Sequence, residues 1–179
     1  MTQYEIIPHL PGVISIPFNQ QSSSELAYDD DPATSVMQSL TNGHTLSISE
    51  STSLDDAIQT MKTHHATLIV VTHDSLVTGI LSSEDLLGEK PITLQQQSRI
   101  ERENIIVKML MTPLNDIILF DLEDILHARV GNVIATLKKH NQAYAIVSSN
   151  QPQQEEKALH GIFSASQISK QIHKDIQSQ

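Results

Sequence analysis

Apolar residues along the chain follow a helical spacing that occurs twice. In the first copy they lie at positions i, i+3, i+4 and i+7, on one face of a helix: Leu54, Ala57, Ile58 and Met61. The same spacing returns 76 residues later, at Val130, Val133, Ile134 and Leu137. The two helices are therefore predicted to be equivalent parts of a duplicated unit.

One short strand precedes each of these predicted helices, and two strands follow it. In the first copy the strands are 45–49, 68–71 and 76–81, and a second helix begins after them. In the second copy the first strand is 117–120, Val147 corresponds to Val71, and Gly161 corresponds to Gly79. Because a unit of about 60 residues buries too little surface alone, we expect an α/β (α+β) fold of two βαββα repeats packed with pseudo-twofold symmetry.

Breaks in this pattern give the domain boundaries. Residues 1–32 carry Pro8, Pro11 and Pro17, a polar tract and an acidic run, and we expect a partly ordered N-terminal arm that lies on the folded body or on a partner subunit. Residues 33–90 are predicted to be repeat 1, 91–104 a polar and partly helical connector, and 105–179 repeat 2. Short helical pieces are predicted at the start of each repeat, at 33–40 and 105–111.

Composition and charge exclude several classes of protein. The 179 residues include three Phe, three Tyr and no Trp, so the core must be aliphatic, and the absence of cysteine removes disulfides and thiolate chemistry. The net charge of −10 repels phosphate backbones, so no nucleic-acid partner is expected. The chain shows no apolar run of about 20 residues and no secretory signal, and we expect a cytoplasmic protein without a membrane partner.

The strand 76–81 and the helix after it carry the candidate chemistry. Ser82 opens this helix and Asp85 is its third residue, so a hydroxyl and a carboxylate meet where backbone N–H groups are free. Such a pair can bind the diol of a sugar. The alternative is a capping box, in which Ser82 caps the helix, Asp85 completes the box, and no ligand binds.

The other polar residues give no sign of catalysis. The nine histidines show no HxxxH or HExxH spacing on one helix face, so no metal site is predicted. Ser82 and Ser164 lie outside any GxSxG turn, which argues against nucleophilic serines. Glu123, Asp124 and His127 lie before the second main helix, in a predicted surface loop or short helix. The sequence therefore predicts a protein that is not an enzyme.

The two units resemble cystathionine-β-synthase (CBS) domains, and the pair resembles the tandem arrangement called a Bateman module in small stand-alone members of the family. The matching segments are SISESTSLDDAIQTM, LIVV and LVTGILSSEDLL in the first unit, and VGNVIATL, YAIV and LHGIFSASQI in the second. IIVKMLMTP resembles the lead-in to a repeat, and SVMQSL is a weaker copy of it. The resemblance covers about residues 33–172.

This resemblance implies a regulatory module that binds an adenosine-type ligand (AMP, ADP, ATP, adenosine or S-adenosylmethionine) in a cleft between the repeats. The family's ribose-binding pattern is Gly, two apolar residues, Thr or Ser, two residues, then Asp. It is matched by Gly79, Ile80, Leu81, Ser82 and Asp85. The resemblance assigns the rest of the pocket to His65, Phe120, Gln142, Ala143 and Tyr144.

The second repeat departs from this pattern. Gly161 and Ser164 fit it, but Gln167 replaces the acid and loses the charge-assisted bond, so only a weaker second site is expected, at Ser164, Gln167, Ala66 and Thr67. No arginine lies near the expected pocket, which favours a ligand of low negative charge such as adenosine, AMP or S-adenosylmethionine.

The predicted function is that of a ligand sensor without a required cofactor. The family resemblance implies a homodimer that pairs through helices, and ligand binding would rearrange that dimer, the N-terminal arm or the surface for an unidentified protein partner. The alternative is a ligand-free scaffold that only dimerises and presents a surface.

Overall fold

The computed structural model describes residues 5–8, 14–15, 26–40, 46–150 and 157–172. The helices are α1 Leu54–Thr63, α2 Ser83–Leu87, α3 Glu89–Ser98, α4 Leu122–His127, α5 Val130–His140 and α6 Ala165–Gln171. The strands are β1 Ile14–Ser15, β2 Gln38–Ser39, β3 Ser47–Ser49, β4 Leu68–His73, β5 Leu76–Ser82, β6 Thr112–Pro113, β7 Ile118–Asp121, β8 Tyr144–Asn150 and β9 Lys157–Ser164. The chain divides into a central unit, residues 46–116, and a terminal unit that combines the described residues up to 40 with those from 117 onward.

In the central unit, a sheet in the order β3-β4-β5-β6 packs against α1 and α2. Strand β3 is parallel to β4, and the β4–β5 and β5–β6 pairs are antiparallel. The parallel pair needs a crossover, and α1 supplies it. Leu54, Ala57 and Met61 of the predicted helix face are buried in the core with Ile69 and Leu81.

The terminal unit repeats this plan. Strand β7 is parallel to β8, β9 is antiparallel to β8, and the other edge of β9 pairs with β1 and β2. Val130, Val133 and Leu137 of α5 are buried in a core that also holds Phe120 and Phe163, whose rings meet edge to face at 6.3 Å. The predicted α/β fold with two βαββα units is therefore confirmed.

The duplication extends to single hydrogen bonds. The N–H of Ser83 donates to the carbonyl of Thr67 at 2.9 Å, and the N–H of Ala165 donates to that of Ala143 at 2.9 Å. Each bond joins the start of the helix after a hairpin to the residues before that hairpin, and each hairpin has a register shift, after Val71 or Val147. These pairs keep the offsets found in the sequence.

The lead-in segments differ from their prediction. They are 3-10 turns, at Ala33–Val36 and Val107–Met109, followed by strands rather than by more helix. Strand β2 pairs with β9 and β6 pairs with β5, so each lead-in completes the sheet beside the hairpin of the other sequence repeat. The boundaries of the two repeats, at residues 33–90 and 105–179, stay predictions.

The structure also locates the predicted connector, the segment before α5 and part of the N-terminal arm. The predicted connector begins inside α3, whose first residue is Glu89, and the segment before α5 is the short helix α4. Part of the N-terminal arm lies on the terminal unit, because the side chain of Ile7 is only 6% exposed and belongs to its core. The arm's Pro11 and Pro17 and the histidines His9, His44 and His173, like residue 45 of the first predicted strand, lie outside the described residues.

Candidate ligand-binding site

The predicted capping box is present where β5 enters α2. Ser82 is extended, with φ −102° and ψ 162°, and its side-chain oxygen accepts a hydrogen bond from the N–H of Asp85 at 3.1 Å. In return, the N–H of Ser82 donates to Oδ2 of Asp85 at 2.9 Å. The two bonds satisfy groups that would otherwise be unpaired at the start of the helix.

The same two side chains are also bonded directly, and both are buried. The hydroxyl of Ser82 donates to Oδ2 of Asp85 at 2.7 Å, and each residue is 7% exposed. Oδ2 therefore accepts two hydrogen bonds from Ser82, which fixes the plane and position of the carboxylate. The local sequence predicts this geometry, since it depends only on a Ser-x-x-Asp spacing at a helix start.

Lys90 supplies a cation at the other carboxylate oxygen. Its Nζ lies 2.5 Å from Oδ1 of Asp85 and donates to the carbonyl of Leu110 at 3.1 Å. The Asp85 side chain is 9% exposed and the Lys90 side chain is 51% exposed, so the pair connects a buried carboxylate to the surface. Sequence reasoning missed this residue, because a separation of five positions across Gly88 is not a helix-neighbour spacing.

The apolar members of the predicted pattern lie within the sheet. Ile80 is fully buried, and Gly79 lies beneath the backbone of β6, where a Cβ would collide with the carbonyl oxygen of Thr112. Both residues shape the strand that ends at Ser82. Their direct contact with a ligand stays a prediction.

The loop between α1 and β4 lies beside the start of α2. His65 is exposed with φ 50°, Ala66 is partly buried, and Thr67 is exposed while its carbonyl accepts the Ser83 bond. The central unit therefore contains seven of the predicted residues, and their assembly into one pocket stays a prediction: Gly79, Ile80, Ser82, Asp85, His65, Ala66 and Thr67.

The terminal unit holds the remaining predicted residues in a different chemical setting. Ser164 is 5% exposed and makes no capping bond; its Oγ lies 3.0 Å from that of Ser166. Gln167 is partly buried, so this position presents an amide rather than a carboxylate.

The predicted adenine-binding residues also lie in the terminal unit. Phe120 and Tyr144 are buried, whereas Gln142 and Ala143 line a groove of about 780 Å³ between α5 and α6. Their role stays a prediction.

Two other polar clusters involve groups with shifted pKa. The hydrogen bond from Lys108 to Glu50, at 2.8 Å, holds the pKa of Glu50 below its usual value. His73, whose Nδ1 lies 3.3 Å from Oε1 of Glu50, acts in the same direction. Burial lowers the pKa of His160, whose Nε2 lies 2.6 Å from the Ser149 hydroxyl. Within the described ranges, His, Asp and Glu side chains form no group of three that could hold a metal ion.

The described part of the chain contains no helix that is both long and apolar enough to cross a bilayer.

Comparison with known proteins identifies the fold. Residues 33–91 match the family model of the CBS domain. An uncharacterized conserved protein from Pyrococcus horikoshii has a TM-score of 0.53 at 19% identity, over 86% of this chain and 100% of that one. The CBS domain of a bacterial CNNM/CorC family Mg²⁺ transporter has a TM-score of 0.53 at 15% identity, over 83% of this chain and 78% of that one.

A conserved CBS-domain protein of unknown function from Thermoplasma acidophilum has a TM-score of 0.51 at 17% identity, over 72% of this chain and 64% of that one. No curated protein matches the chain. At these identities the solved structures are similar to this chain in fold, which is that of CBS-domain proteins.

Proposed function

Since residues 33–91 match the family model of the CBS domain and the fold is that of CBS-domain proteins, we propose that this chain is a non-enzymatic regulatory module that binds an adenosine-type ligand at Asp85. The ligand class comprises adenosine, AMP, ADP, ATP and S-adenosylmethionine. In the proposed complex, the Asp85 carboxylate accepts hydrogen bonds from the ribose hydroxyls, and Ser82 holds that carboxylate in place.

The observation that carries the proposal is the burial of the Asp85 carboxylate. Capping does not require burial, and the chain offers a direct comparison in Asp56. There the hydroxyl of Ser53 donates to Oδ2 of Asp56 at 2.7 Å, and the N–H of Asp56 donates to the Ser53 oxygen at 3.2 Å. Asp56 is exposed, whereas Asp85 is 7% exposed. Because burying a carboxylate is costly, its burial at Asp85 supports a use beyond capping.

Signal transmission in this proposal uses features of the terminal unit. The groove between α5 and α6 is lined by apolar residues such as Ile134 and Ile168, which supports the pairing of two copies through these helices. Glu5 and Ile7 of the arm are hydrogen-bonded to α5, so a change at that helix would reach the arm. A ligand can shift this equilibrium only by its differential affinity for the two states.

A second candidate is a scaffold that binds no ligand. Both oxygens of the Asp85 carboxylate already have partners within the chain, in Ser82 and Lys90. That arrangement satisfies the buried charge without a ligand, which favours a structural role for the same residues.

Isothermal titration calorimetry separates the two candidates. We expect the unmodified protein to bind at least one of the five adenosine compounds, and Asp85→Ala to weaken that binding about 10- to 100-fold, because a hydrogen bond to a charged group is lost. Asp56→Ala is the matched control. It removes a carboxylate that accepts a hydrogen bond from the hydroxyl of a capping serine in the same unit, and it is expected to change the Kd less than about twofold.

The outcomes discriminate clearly. If none of the five compounds binds the unmodified protein, the scaffold is the correct candidate. If Asp56→Ala weakens binding as much as Asp85→Ala does, the loss reflects the fold rather than a ligand contact, and Asp85 is not the ribose site. Circular dichroism of both variants verifies that they are folded.

A further inference from the structure

We propose that Lys90 makes the Asp85 site selective for a ribonucleoside 5′-monophosphate over an uncharged nucleoside or a cationic nucleoside derivative. This inference rests on the proposed function above and names the ligand class for that same site. The sequence favours a ligand of low negative charge such as adenosine, AMP or S-adenosylmethionine, and the position of Lys90 distinguishes among these three.

The Asp85 carboxylate has too few free acceptor positions to hold both Lys90 and a ribose diol. A carboxylate offers about four lone-pair positions, two on each oxygen. Ser82 occupies both positions on Oδ2, through its N–H and its hydroxyl, and Lys90 occupies one on Oδ1. A ribose diol needs two acceptor positions, so its full binding displaces Lys90 from Oδ1.

Once displaced, the ammonium group of Lys90 needs a new anionic partner. Lys90 keeps a bond to the carbonyl of Leu110, and its side chain is 51% exposed on a flexible stem, so it is free to turn toward a bound ligand. Losing the carboxylate costs a charge-assisted hydrogen bond unless another anion replaces it. A phosphate on the ligand is such an anion, an uncharged nucleoside offers none, and a sulfonium group repels the ammonium.

The location of Lys90 in α3 supports a role outside helix stability. It is the second residue of this ten-residue helix, close to the N-terminus, where a positive side chain is unfavourable. Moreover, one lysine on a chain with net charge −10 matches a monophosphate better than a triphosphate.

Calorimetric titration of AMP, adenosine and S-adenosylmethionine tests the inference. We expect the unmodified protein to bind AMP at least about tenfold more tightly than adenosine, and Lys90→Met to reduce this preference to within about threefold. In that variant AMP binds less tightly. Adenosine binds as tightly as before or more tightly, because its ribose hydroxyls no longer compete with the Lys90 ammonium for the Asp85 carboxylate. Lys90→Arg keeps the positive charge and is expected to retain the preference for AMP.

Lys108→Met is the matched control. Lys108 is also about half exposed, at 58%, and is also paired with a carboxylate of the central unit, at 2.8 Å from Glu50. Its removal is expected to leave the AMP-to-adenosine ratio unchanged.

Different results would overturn this inference and the proposed function. An unchanged ratio in Lys90→Met, with both ligands still bound, overturns the role of Lys90 and leaves the adenosine site standing. The role of Lys90 is also overturned if Lys108→Met lowers the AMP-to-adenosine ratio equally, since the preference then reflects the net charge of the protein and not one lysine. If the unmodified protein binds none of the five adenosine compounds, both proposals fall. If it binds only ADP or ATP, this inference falls and the proposed function stands.

Discussion

At the scale of single residues, one sequence spacing leads to two environments in this protein. Ser53 with Asp56 and Ser82 with Asp85 both cap helices, but only Asp85 is buried and paired with a lysine. The capping geometry follows from the spacing alone. The burial and the lysine follow from what packs around α2, which the local sequence does not specify.

The two pattern glycines give a prediction at this scale. A Cβ at Gly79 would meet the backbone carbonyl of Thr112, whereas a Cβ at Gly161 would meet the side chain of Met37. Backbone in a sheet cannot move aside easily, but a methionine can change rotamer. We expect Gly79→Ala to lower the free energy of unfolding by about 1–3 kcal/mol and Gly161→Ala by less than about 1 kcal/mol.

Urea denaturation of the two variants measures this difference. In the double variant Gly161→Ala with Met37→Ala, the methionine contact is gone, so any loss caused by that contact should be reduced. Equal losses in the two single variants would contradict this account, since they would mean that both glycines serve the same backbone requirement.

At the scale of elements, the described start of the N-terminal arm is held on α5 by polar and apolar contacts together. Thr136 is fully buried, its Oγ1 accepts a hydrogen bond from the N–H of Ile7 at 3.0 Å, and Asn132 donates to the carbonyl of Glu5 at 2.9 Å. Ile7 adds its side chain to the core. The sequence predicts a partly ordered arm that lies on the folded body or on a partner subunit, but its attachment depends on one face of a helix far away in the sequence.

Thr136→Val tests this attachment. The change keeps the shape of the side chain but leaves the Ile7 N–H buried without its acceptor, which is expected to cost about 1–3 kcal/mol. Amide exchange at Ile7, measured by NMR, should accelerate about tenfold or more. Thr136→Ser retains the hydroxyl and should exchange more slowly than the valine variant; equal exchange in the two variants would show that the hydrogen bond does not hold the arm.

At the scale of the whole molecule, the compact units do not coincide with the sequence repeats. The lead-in at the start of repeat 1 contributes Ala33 and Val36 to the core of the terminal unit. The lead-in at the start of repeat 2 contributes Ile105, Val107 and Leu110 to the core of the central unit. Each sheet is therefore completed by a strand from outside its own repeat.

This exchange predicts where core variants act. Val36→Ala and Val107→Ala each leave a cavity and are expected to cost about 1–3 kcal/mol. Hydrogen exchange followed by mass spectrometry should show faster exchange in β8 and β9 for Val36→Ala, and in β4 and β5 for Val107→Ala. The opposite assignment, with Val36→Ala loosening β4 and β5, would show that the lead-ins belong to their own repeats.

The repeated helix face, the βαββα order and the Ser82–Asp85 cap follow from the amino-acid sequence alone. Each depends on short spacings, from two residues in a strand to seven along a helix face, that the backbone geometry of one element fixes. Packing in three dimensions sets which hairpin each lead-in joins and places Lys90 against Asp85. The Lys90–Asp85 contact spans the break between α2 and α3 at Gly88, and the β5–β6 pairing depends on the close approach of β6 to Gly79. The energy of these contacts comes from packing and charge between segments that no local pattern connects.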